Sequence, residues 1–269
     1  MTDLALVFVG RLCATAVLII IVTRVAQGAG PFLASTILTL PLFAGPSYFF
    51  LMSEVSGAFI AQSALVAFAG TGAVLLFTAG YILSVRRFGL ALGLCCATVL
   101  WALLALPLQI FEITLTRAIV FCALGALVVR VLSVPLDLYK LPSTEKFVWT
   151  PLILRSLVAG VAVASVSAAG SFLGPQLTGV LVTFPITLSV SAWMVYRQYG
   201  AEFSAAVMSA TQRTLPTYSS FCLALALLCD VVSPGTAFVC ALLVSAASAS
   251  ALAWFGLRRR AQLMCERSA

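Results

Sequence analysis

Two prolines stand where an apolar helix would least accept them. Pro41 lies inside GPFLASTILTLPLFAGPS (30–47), and Pro185 lies inside GPQLTGVLVTFPITLSVS (174–191). A proline in a helix interior costs about 3 kcal/mol, because its ring clashes with the preceding turn and removes a hydrogen bond. The carbonyls released four residues back are those of Ile37 and Leu181. In lipid, a bare carbonyl must find a cavity or a neighbouring hydroxyl. Thr39 and Ser47 flank the first proline, and Thr183 and Ser191 flank the second. Each stretch opens on Gly-Pro, which predicts a helix N-terminus at Pro31 and at Pro175, a place that favours negative charge. One arginine lies inside the apolar run before each stretch, Arg11 and Arg155. A charge within a membrane segment marks a functional candidate, although a long arginine also snorkels to the interface. These groups bind; they do not make or break bonds. They predict a site for a small solute, anionic if the arginines attend it. Two plainer roles compete: the kinks can serve packing, and serine and threonine can hold helices together.

Other chemistry is excluded by what the chain lacks. It has no histidine, which removes Ser-His dyads, HExxH zinc sites and histidine acid–base work. No GxxxxGK[ST] loop is present to cradle a nucleotide. The three aspartates, Asp3, Asp137 and Asp230, are isolated, so no aspartate-rich metal–diphosphate motif forms. The eight cysteines show no CxxC spacing, and all but Cys265 fall in apolar runs, where they act as small hydrophobes. The expectation is a protein that is not an enzyme, with no metal and no cofactor.

The elements that must position these residues are membrane helices. Of 269 residues, 62% are hydrophobic and 9% charged, against about 25% charged in a soluble domain. The apolar runs are continuous and do not alternate with period two, so a β-barrel is excluded. The net charge of +7 is scattered over short loops and is no nucleic-acid footprint. The expected partner is the lipid bilayer, with a homo-oligomer or a larger membrane complex open. The start of the chain lacks a basic n-region and reads as a first span, not a removable signal.

The fold class expected is an all-α polytopic membrane protein of about nine transmembrane helices. They are 4–25, 31–52, 57–84 (with a short half-helix before the third span), 88–109, 114–134, 149–170, 175–197, 215–232 and 235–257. Residues 202–213 read as an amphipathic piece before the eighth. With the N-terminus outside and the C-terminus cytoplasmic, thirteen basic residues fall on the cytoplasmic side and only Arg11 and Arg117 outside.

The two proline stretches match without a gap at a spacing of 144 residues: Gly30 with Gly174, Pro31 with Pro175, Leu33 with Leu177, Thr39 with Thr183, Pro41 with Pro185, Ser47 with Ser191. The same spacing carries Arg11 onto Arg155. Two four-helix units follow, 4–109 and 149–257, joined by a linker helix, 114–134, and a cytoplasmic connection, 135–148. A basic tail, 258–269, ends the chain. One odd helix between the units inverts the second relative to the first. Inverted repeats with interrupted helices place a substrate site near the midplane. The predicted site comprises Thr39, Pro41, Ser47, Thr183, Pro185 and Ser191, with Arg11 and Arg155 at opposite mouths.

The second half resembles the GlpM family of small bacterial inner-membrane proteins. The resemblance rests on Gly179, Phe184 and Pro185, then Gly200, Arg213 and Pro216, over about residues 150–257. It departs at Trp193 and Met194, near which the family pattern would put a histidine. It implies a bacterial inner membrane and an origin by duplication and fusion of a four-span unit; it implies no substrate. Two functions are therefore expected from different classes. One is transport of a small solute or lipid headgroup through the midplane. The other is a non-transporting scaffold of an envelope biosynthesis complex.

Overall fold

The protein is seen in a computed structural model that describes residues 2–28, 40–132 and 149–268. Among these residues the secondary structure is helical, with no strand. Seven α-helices run α1 (Thr2–Gly28), α2 (Ala44–Leu51), α3 (Gly57–Ala105), α4 (Leu115–Leu132), α5 (Trp149–Thr183), α6 (Ile186–Leu228) and α7 (Pro234–Ser268). A short 3-10 turn, Leu106–Gln109, prolongs α3, with Pro107 in its first turn. Five stretches are long and apolar enough to cross a membrane. Their outward side chains are apolar too; Phe172 is 88% exposed and Ile110 80%. In water such a surface would aggregate, so its solvent is lipid.

Two of the five stretches, of 53 and 77 residues, are too long for one crossing. At 1.5 Å per residue they would extend about 80 Å and 115 Å, against about 30 Å of hydrocarbon. Glycine divides them. Gly89 (φ 78°, ψ −176°), Gly174 (φ 79°, ψ 166°) and Gly200 (φ 84°, ψ −178°) break α3, α5 and α6. That backbone region is open essentially to glycine alone. The chain reverses at each. A Cβ on Gly93 would lie 3.1 Å from Cα of Val85, whereas eight residues along a straight helix span about 12 Å. Thr178 donates to the Gly170 carbonyl at 3.2 Å, and Ser204 to the Ala192 carbonyl at 3.1 Å. Each reversal is therefore a helical hairpin with a one-residue corner.

Two boundaries differ from the sequence reading. No half-helix precedes the third span, because 57–88 is continuous until Gly89 imposes the turn. Residues 202–213 are likewise the opening turns of a helix that runs unbroken from Gly200 to Leu228. Pro216 stays within it. The polar side chains that made 202–213 look amphipathic are spent on neighbours: Ser204 meets Tyr81 Oη at 2.8 Å, and Gln212 donates to Thr78 at 3.0 Å. Thr39, Pro31, the first part of the second span and the connection 135–148 lie outside the described residues.

The helices touch through small residues, as membrane helices must when lipid gives little hydrophobic drive. Gly125 of α4 sits against Gly72 of α3, Gly160 of α5 against the Leu12 carbonyl of α1, and Gly179 against Ser63 and Val66. α3 packs most extensively on α6, α1 lies along α5, and α7 along α6. Contacts also sort the helix ends into two groups. Gly57 with Cys229, Gln62 with Ile113, Gln109 with Gln176, and Arg11 with Glu54 gather one end. Arg24 over Trp149 and Arg86 with Glu202 gather the other.

Candidate functional site

The two prolines interrupt the bundle in the same way. Leu42 N–H donates to the Leu40 carbonyl at 2.7 Å, and Ile186 N–H to the Phe184 carbonyl at 2.8 Å. Each bond spans one residue, the proline, and Pro185 (φ −81°, ψ 48°) is close to an inverse γ-turn. The helix then restarts alike on both sides. Gly45 N–H donates to the Pro41 carbonyl, and Ser189 N–H to the Pro185 carbonyl. Ser47 Oγ donates to the Phe43 carbonyl at 2.9 Å, and Ser191 Oγ to the Thr187 carbonyl at 2.7 Å. Every pair is separated by 144 residues.

Both breaks open on one cavity of about 160 Å³. Pro41, Thr183, Pro185 and Arg155 line it, so four of the predicted residues share one space. The others lie elsewhere. Ser47 and Ser191 cap carbonyls of their own helices and do not reach the wall. Arg11 is ion-paired with Glu54 and stacked near Phe50, away from the cavity. Thr183 is buried, donates to the Val180 carbonyl at 2.7 Å and packs on Gly70, so its hydroxyl is engaged within its own turn.

The backbone differs from expectation in two respects. The Leu181 carbonyl is not bare, because Phe184 N–H turns back to it at 3.1 Å. The helix N-termini that face the cavity are those restarting after the prolines, at Ala44 and Ile186, not the one at the Gly174-Pro175 corner. Neither start has a side-chain cap. Among the described residues, the N–H groups of Phe43 and Ala44, and of Thr187 and Leu188, have no backbone acceptor. All four residues are on the cavity wall. An uncapped helix N-terminus leaves such donors pointing outward along with the positive end of its dipole.

Arg155 completes the wall from α5, enclosed by the surrounding helices. No hydrogen bond or ion pair joins it to another described residue. Among the described residues, no aspartate or glutamate lines the cavity. Tyr218, also on the wall, turns its buried hydroxyl toward the Cys222 thiol. Phe43, Thr187, Thr211 and Tyr218 went unnoticed in the sequence. Thr187 and Phe43 could have been found from the helix restart after each proline. Tyr218 gave no signal beyond the polarity of PTYSS (216–220) inside a span. A second, largely apolar groove lies beyond Phe43 and Phe184, along Leu157, Val161 and Ser165 of α5.

Among the described residues no group of histidine, cysteine, aspartate or glutamate is placed to hold a metal. Comparison with models of known protein families, with curated proteins and with solved structures gave no match.

Proposed function

We propose that this membrane protein carries a small solute through a central site between two inverted repeats. The observation that carries the reading is the meeting of two matched helix breaks at one cavity that also holds an arginine with no ion pair among the described residues. Breaks in membrane helices are tolerated where they line a cavity, and paired breaks in corresponding places are the usual signature of a transporter site.

The finer architecture belongs to the same reading. Nine spans fit the glycine reversals. The two groups of helix ends fit an N-out, C-in orientation. Arg24, Arg86 and Glu202 then gather on the cytoplasmic side, and Glu54 and Arg11 on the outer one. The matched hydrogen bonds support repeats of 4–109 and 149–257. The GlpM resemblance would make this a bacterial inner-membrane protein born by duplication.

Alternating access tests it. In a background with the native cysteines replaced by alanine or serine, Thr187→Cys is exposed to a membrane-impermeant thiosulfonate reagent. Right-side-out and inside-out vesicles are labelled separately. Labelling from both faces is the expected result. No labelling from either face, with the protein folded, would leave a dry seam and favour the scaffold.

A further inference from the structure

The cavity has features that select among solutes. Its fixed charge is the Arg155 guanidinium, with no carboxylate among the described residues of the wall to neutralise it. Around it, the starts of α2 and α6 offer backbone donors at Phe43 and Ala44 and at Thr187 and Leu188. A helix N-terminus alone would mean little. Here two of them share a space with an enclosed guanidinium that has no partner among the described residues. Such groups await an anion, because leaving them bare in a low-dielectric interior is costly.

Size and wall chemistry narrow the choice. A cavity of about 150 Å³ in another protein accepts benzene, which sets the scale at roughly six heavy atoms. The space here is about 160 Å³. Apart from Thr183, Thr187, Thr211 and Tyr218, the rest of the wall is apolar, with Ile19, Val74, Val182, Leu188 and Leu215 among it. A fully hydrated inorganic ion would lose its water against those side chains. A dianion would leave one charge unmatched by the single guanidinium. The guanidinium fork matches a carboxylate in two parallel hydrogen bonds.

We infer that the site takes a short-chain monocarboxylate, its headgroup on Arg155 and the two helix starts, its tail against the apolar wall. This rests on the transport reading for its biological meaning, but binding can be tested apart from movement. The full chain, purified in detergent, is heated with increasing butyrate, butyramide, chloride or phosphate. A ligand that binds only the folded state raises the melting temperature with concentration. Butyrate is expected to raise it by several degrees, and butyramide, which lacks the charge, by none. R155Q abolishes the shift, and R155K, which keeps charge but loses the fork, weakens affinity about tenfold.

A larger shift from phosphate or chloride than from butyrate overturns the assignment, as does an equal butyrate shift in wild type and R155Q. If R155Q does not fold, the ligand series on the wild type and R155K still decides. Labelling at position 187 from both faces, without butyrate binding, would sink the carboxylate and leave transport standing. Butyrate binding without labelling would sink transport and leave the site.

Discussion

The same residue type has two fates in the two halves. Arg11 is neutralised by Glu54, while Arg155, 144 residues later, has no acidic partner among the described residues. The position that corresponds to Glu54 is Gln198, so the second half carries the arginine without the acid. An uncompensated charge under the surface destabilises a fold and persists where it serves function. R155Q should therefore raise thermal stability in detergent, by about 0.5–2 kcal/mol, even as ligand response is lost. A fall of similar size would make Arg155 a structural residue. R11Q should change little, since a partly exposed pair contributes about 0–1 kcal/mol. Its pairing with Glu54 removes Arg11 from the proposed path.

At the element scale, glycine decides where helices turn and how closely they meet. Gly174 and Gly200 have open space where a Cβ would project, so their need is purely conformational. Alanine at either should cost about 1–3 kcal/mol, read as a lower melting temperature. Gly10 and Gly256, also in open space but not at positive φ, are the controls and should tolerate alanine. Gly125 needs smallness instead. A Cβ there would lie 2.3 Å from Cα of Gly72, so G125A should force α3 and α4 apart and cost about 1–3 kcal/mol. The proline breaks are stable because the chain supplies local acceptors: each γ-turn and each restarting turn recovers bonds that a straight helix would lose.

For the whole molecule, the contacts at the helix ends give a topology that can be read in cells. Reporter fusions after residues 89, 200 and 257 should all signal from the cytoplasm, and fusions after 54, 112, 174 and 232 from the opposite side. A split within either group would break the nine-span alternation and with it the inverted repeat. The starts of α2 and α6 line the cavity from different halves of the chain.

Much of this was legible in the residues themselves. Apolar runs too long and too continuous for water fixed the helical membrane class, because every backbone polar group in lipid must be satisfied within its own segment. The repeated Gly-Pro and proline spacing marked where helices would break, because an interior proline removes a hydrogen bond and crowds the preceding turn, although Pro216 stays within α6. Glycine corners were visible less clearly, since Gly89, Gly174 and Gly200 differ from Gly72 or Gly125 only in backbone angle, which composition does not carry. The site divided along the same line. Pro41, Thr183, Pro185 and Arg155 were found because they interrupt an apolar pattern. Ser47, Ser191 and Arg11 interrupt it equally, yet nearby carbonyls and Glu54 claimed them. Which polar groups are consumed by their neighbours and which remain open to a ligand depends on distances between helices far apart in sequence. Only the folded bundle sets those distances.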